Sequence, residues 1–214
     1  MVKHISHNDL MQMEQRQRAA FVNALGGFKS VNMVGTVDMS GQTNLAIFNS
    51  IVHLGANPPL MGCIVRPDSV ERHTYENILE TRYYSFNHVN ANCYEQAHQT
   101  SARYPKHMSE FEACGLTPYY QDGFLAPYVK ESGLQIGLRF REKIDITLNG
   151  TILLIGEIMH VYVPEACIQA DGFVDLEMAG TLAGSGLDSY HATHKLARLK
   201  YAKPNLPPET IPES

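Results

Sequence analysis

The sequence of 214 residues has no run approaching the ~18 apolar residues that a membrane-spanning helix needs, so no membrane partner is expected. Its opening decapeptide, MVKHISHNDL, lacks the apolar core of a secretory signal. The four cysteines, Cys63, Cys93, Cys114 and Cys167, form no C-x-x-C pair. Reduced thiols and a cytoplasmic location are the resulting expectation. Cys63 lies within an apolar strand pattern and reads as a core residue. There is no surplus of positive charge either. Seventeen Lys and Arg face 22 Asp and Glu, a net charge of −5, which argues against nucleic acid as a partner. The chain carries no G-x-G-x-x-G fingerprint of a dinucleotide fold and no acid–base pair at a convincing spacing, so no catalytic side chain is nominated. His191 and His194 alone do not make a metal site, and none is expected. No internal repeat or linker divides the sequence, and residues 1–214 read as one domain.

What is present is a succession of strands and tight turns. An amphipathic helix is predicted from about Asn8 to Leu25, stopped by Gly26-Gly27. Strand patterns follow at Ser30–Val37 and Thr43–Leu54, with a turn through Asp38, Ser40 and Gly41 between them. Pro58-Pro59 forces a corner before Leu60–Val65. Thr74 reads as the start of a short helix and Tyr83–Val89 as another strand. The stretch from Cys93 to Tyr128 is read as small helices and loops, long enough to suggest a segment that covers a site or faces a partner. Apolar residues alternate from Leu134 to Leu148, Asn149-Gly150 supplies a hairpin turn, and Thr151–Val163 returns as a more buried strand. Asp171-Gly172 marks a further turn, and the tail 204–214 is expected to be extended or frayed. Many strands with few long helices predict a mainly β fold, an antiparallel barrel with attached helices.

Two clusters carry potential chemistry. Arg66, Arg72, Thr74 and Asn77 surround the predicted helix start, where guanidinium groups, a hydroxyl, an amide and free backbone N–H groups suit a phosphate. The same residues also fit a capped surface helix. Just upstream, Asn44, Asn49 and Ser50 interrupt the apolar Ala46, Ile47 and Phe48. Small and amide side chains there let the backbone approach a planar ring, although an edge strand facing water has the same pattern. His53, just past this strand, is a candidate pocket residue or a satisfied barrel histidine.

The order NLAIFNS, the Asn57-Pro58-Pro59 corner, Arg66-Pro67 and HTYENI at 73–78 resembles the flavin reductase-like family of FMN-binding split barrels. Tyr84–Asn87, the SEF at Ser109–Phe111 and Gly115-Leu116 extend the likeness, which spans about Val31 to Pro204. The sequence departs from the family pattern at His73, where an Asp is usual, and at Asn49, where a Ser is common. His73 adds positive potential near a phosphate, and Asn49 alters the contact with a ring edge.

The resemblance implies a homodimer binding FMN near its interface. Arg66, Thr74 and Asn77 would hold the phosphate with help from Arg72. Main chain from Ala46 through Ile47, Phe48 and Asn49 to Ser50, with the Asn44, Asn49 or Ser50 side chains, would meet the isoalloxazine. It further implies an oxidoreductase that takes hydride from NADH or NADPH and passes it to a flavin or other acceptor. An electron-transfer flavoprotein of flavoredoxin type, without direct use of nicotinamide, and a haem-binding split barrel are the alternatives.

Overall fold

The computed structural model describes residues 1–67 and 70–212. Two residues of the basic loop (68 and 69) and the last two of the tail therefore lie outside the described residues.

Two short helices, α1 (His7–Gln12) and α2 (Gln15–Leu25), precede β1 (Lys29–Ser30), β2 (Asn32–Val37), β3 (Thr43–Phe48), β4 (Ile51–Ala56) and β5 (Pro59–Val65). Then come α3 (His73–Thr81), β6 (Tyr83–His88), α4 (Tyr94–Gln99), α5 (Glu110–Cys114), β7 (Pro118–Tyr119) and β8 (Tyr128–Val129). The chain ends through β9 (Gln135–Ile146), β10 (Thr151–Tyr162), β11 (Ala183–Ser185) and β12 (Ser189–His191).

The main sheet is antiparallel, in the order β3-β2-β6-β9-β10-β5-β4. Its two edge strands, β3 and β4, are joined by only Asn49 and Ser50. Opposite edges linked by two residues must lie side by side, so the sheet curls into a barrel that is split at this point. The predicted single strand Thr43–Leu54 is therefore two strands. Asn and Ser favour local hydrogen bonds over a continued ladder, and the Ser50 carbonyl instead accepts the Ile64 N–H at 3.1 Å.

The barrel interior is filled by Val34, Cys63, Tyr84, Phe86, Leu138 and Leu154, with Ile78 and Tyr75 of α3 packed against them. Burial pushes the Cys63 thiol up to about 12, as befits an inert core residue. Gly156 is required in β10, because a Cβ there would overlap the Tyr84 hydroxyl. A second core lies outside the barrel wall, where Met33, Leu45, Val89 and Val129 meet Ala97 of α4 and Phe111 of α5. The Cys93–Tyr128 segment thus holds small helices and loops as expected, and in addition a two-stranded ribbon, β7–β8.

Three other expectations need correction. The predicted helix from Asn8 to Leu25 is broken at Met13, because the Glu14 carboxylate accepts the N–H groups of Arg16 (2.8 Å) and Gln17 (3.1 Å) and starts a second helix. Neither α1 nor α2 buries a residue against this chain. Strand β10 is not the more buried of the pair: it alternates between buried and half-exposed positions from Thr151 to Gly156, whereas β9 is buried over most of its first half. The tail folds back: Lys200 donates its N–H to the Glu209 carbonyl (2.9 Å) and its Nζ to the Glu209 carboxylate (2.8 Å).

Candidate functional site

A cavity of about 900 Å³ opens between the free edge of β3, the end of β5, the start of α3, the 100–104 loop and the β11–β12 hairpin. Among the sequence-predicted site residues, Asn44, Ala46, Ile47, Phe48, Asn49, Ser50, Arg66, Arg72 and Thr74 all line it.

One end is built for an anion. Helix α3 makes its first backbone bond from Glu76 N–H to the Arg72 carbonyl at 2.9 Å. The N–H groups of His73, Thr74 and Tyr75 precede that bond, so no intrahelical acceptor takes them. They give this end of the helix a partial positive charge. Arg72 occupies the N-cap, but its side chain caps nothing, and its Nε donates to the Pro67 carbonyl at 3.2 Å. Desolvation, together with the charges of Arg66 and Arg103, lowers the Arg72 pKa from its ordinary value, so three guanidinium groups share this region. Of the nearby carboxylates, Glu76 pairs with Lys106 at 3.2 Å and also accepts the Arg72 backbone N–H at 3.2 Å, and Glu71 lies 3.8 Å from His73. Among the described residues none of the three arginines has an acidic partner.

The long wall is strand β3. Asn44 Nδ2 donates to Thr74 Oγ1 at 2.8 Å and to Thr36 Oγ1 at 3.3 Å, and Asn77 Nδ2 donates to the same Thr36 oxygen at 3.1 Å. This buried network fixes α3 against β2 and β3. The Leu45 N–H points away from β2 and reaches the buried Glu110 carboxylate at 2.9 Å. Burial raises the Glu110 pKa, and the hydrogen bond from Leu45 opposes the rise. By the two-residue alternation of an antiparallel strand, Ile47 also turns its N–H and C=O groups outward along this edge. Those are the donors and acceptors that can read the rim of a flat heterocycle. At the strand's end Asn49 Nδ2 donates to the Gly186 carbonyl at 2.8 Å, tying β3 to the C-terminal hairpin.

Two of the predicted roles change. Thr74 is not the cap. It lies in the first turn, buried, with its hydroxyl accepting from Asn44. Asn77 does not line the cavity: it is 3 % exposed and faces Thr36, with its Oδ1 unpartnered. Asn77 therefore supports the first turn of α3 from behind, while Thr74 both joins that network and lines the cavity. His53 is exposed on β4 and outside the cavity. His191 bonds Ser185 Oγ through Nε2 at 2.8 Å and meets the edge of Phe28.

Sequence reasoning missed Ser101, Arg103 and Tyr104, and the Asp188–Tyr190 wall. Their signal was weak: a single arginine inside a long irregular segment, and a glycine-rich stretch with no strand periodicity. Glu110 belonged to the recognised SEF, but nothing in the sequence tied it to the backbone of β3.

The residues fit a phosphomonoester at the arginine end and a planar heteroaromatic ring along β3. The fold and cavity define the class, a split barrel with a flavin-type site. The flavin reductase like domain matches residues 25–175, and the chain belongs to that family, one of flavin-linked oxidoreductases. A protein from Shewanella frigidimarina NCIMB 400, assigned as a flavin reductase with a split barrel domain, is 54% identical. The alignment covers 94% of this chain and 100% of that one, with a TM-score of 0.91. Flavoredoxin of Desulfovibrio vulgaris (Miyazaki F) shares the fold at a TM-score of 0.69 and 23% identity, over 84% of this chain and 92% of that one. An uncharacterised Aquifex aeolicus (strain VF5) protein is 29% identical over 106 residues, which is 49% of this chain and 54% of the relative.

Proposed function

We propose that the protein binds FMN and works as an NAD(P)H-dependent flavin reductase. The observation that carries this reading is the pairing, in one cavity of about 900 Å³, of arginines that have no acidic partner among the described residues, at a helix start, with an open strand edge. Arg66 and Arg72, with the free N–H groups of α3, hold the 5′-phosphate. Thr74 and Asn77 keep that turn in place through Asn44 and Thr36. Backbone groups of Ile47, with the chain through Asn49, orient the ring against Ala46, Phe48 and Ser50. When bound, the flavin supplies hydride acceptance and onward electron transfer, which is why the chain needs no acid–base pair of its own.

The working unit in this reading is a homodimer. Met11, Val22, Leu25 and Phe28 are exposed around two helices that have no fully buried residue in their own chain, which supports a cover from a second copy. Asn23 of α2 lines the cavity and brings the arm next to the cofactor. Four free thiols suit a reducing cytoplasm. Among the described residues no helix is long and apolar enough to cross a membrane.

The test is an anaerobic titration of the FMN-loaded protein with NADH and NADPH. Bleaching of the flavin absorption within seconds is the expected result. An unchanged spectrum indicates instead a carrier of flavoredoxin type, and a haem spectrum in the purified protein contradicts the FMN assignment.

A further inference from the structure

We propose that Ser101 and Arg103 form a second anion subsite, which takes the 2′-phosphate of the nicotinamide nucleotide and makes the site selective for NADPH over NADH. The proposal rests on the reading of the cavity as a flavin reductase site and names its donor.

The first argument is charge. A phosphomonoester such as that of FMN carries about −1.5 to −2 at neutral pH. Arg66, Arg72 and Arg103 bring three positive charges to the same cavity, added to the partial charge of the α3 N-terminus. One cofactor phosphate therefore does not need all three guanidinium groups. The carboxylates that also line the cavity keep their own charge, but among the described residues none of them is ion-paired to these arginines. Glu71 faces His73, the Glu110 carboxylate accepts the Leu45 N–H, and Asp188 lies on the hairpin wall, where it accepts from Ser189 Oγ at 3.4 Å.

The second argument is placement. Arg72 is half-buried and tied to the Pro67 carbonyl, whereas Arg103 is exposed on a separate loop between α4 and α5. A cofactor phosphate belongs with the fixed group at the helix start. An exposed guanidinium at the mouth suits a ligand that arrives and leaves with each turnover. Ser101, two residues away on the same loop, lines the same cavity, and its hydroxyl makes no hydrogen bond among the described residues. A guanidinium and a free hydroxyl on one loop of one cavity are a donor set for a phosphate, with the planar fork able to take two oxygens. NADH has only a ribose hydroxyl to offer there.

The experiment is calorimetry on the FMN-loaded protein with two probes, adenosine 2′,5′-bisphosphate and 5′-AMP. The bisphosphate is expected to bind about tenfold more tightly, the low end for a charge-assisted contact on an exposed side chain. Arg103→Gln should abolish that ratio and Ser101→Ala should reduce it, with FMN affinity retained in both. Equal affinity for the two probes overturns the proposal. So does an Arg103→Gln variant that loses FMN affinity instead, since Arg103 then serves the cofactor phosphate. The discrimination can be present while NADPH leaves the flavin unbleached. In that case the subsite stands and the reductase reading fails, which separates the two.

Discussion

Replacing Glu110 by Ala removes the acceptor for the Leu45 N–H, a 2.9 Å bond in which Leu45 is wholly buried and Glu110 is 6 % exposed. An orphaned buried donor costs about 1–3 kcal/mol. For a domain of this size each kcal/mol shifts Tm by about 2–4 °C, so Glu110→Ala should melt roughly 2–12 °C lower. Glu110→Gln keeps an oxygen acceptor for Leu45 and should recover most of that loss. The pair also separates hydrogen bonding from charge. Burial raises the Glu110 carboxyl above its ordinary value of 4.5, so between that value and the raised one the folded protein binds more protons than the unfolded chain. Stability contributed by this group therefore falls as pH rises through that window. Melting curves across acidic to neutral pH should show that decline in the wild type and a flatter profile in Glu110→Gln. An unchanged Tm in Glu110→Ala, or the same pH slope in Glu110→Gln, would show that the carboxyl does not hold β3.

Other perturbations read different parts of the structure. Arg66→Ala should weaken FMN binding by about ten- to a hundredfold, from the loss of charge-assisted bonds worth roughly 1.5–3 kcal/mol. Fluorescence titration of the cofactor-stripped protein checks it, and full affinity in a folded variant places the phosphate elsewhere. Thr74→Val should cost FMN affinity less, while removing an acceptor from Asn44 and lowering stability by about 1 kcal/mol in denaturant unfolding. His88 is buried beside Thr181 Oγ1 at 3.0 Å, and burial pushes its pKa from 6.5 down to about 4. Between those values the unfolded chain binds the extra proton, so stability drops by about 3 kcal/mol as pH falls from 6.5 to 4. His88→Gln should flatten that acid limb, and an unaltered limb would assign the loss to other groups.

Most of the barrel was legible because its strands carry period-two patterns and its corners carry Pro58-Pro59 and Asn149-Gly150. Local pattern could not show that Thr43–Leu54 splits at Asn49. The break is imposed by closure, which brings β3 and β4 to opposite edges of one sheet. The N-terminal helix was visible as a helix, but its interruption depends on a Glu14 side chain that reaches its own backbone. At the site, residues next to each other in sequence were readable: Asn44 to Ser50 and Arg66 to Thr74 all reach the cavity. Arg103 and Asp188 were not, since long loops and a distant hairpin bring them there. Asn77 shows the opposite error. A polar residue one turn into a helix looked like a ligand group, yet it faces Thr36 in the core.

Comparing FMN with riboflavin on the cofactor-stripped protein tests the central claim most directly. If the phosphate is held by the arginines and the first turn of α3, removing it costs at least two charge-assisted contacts, and riboflavin should bind at least about a hundredfold more weakly. Equal affinity for the two flavins would mean that the start of α3 does not grip the cofactor.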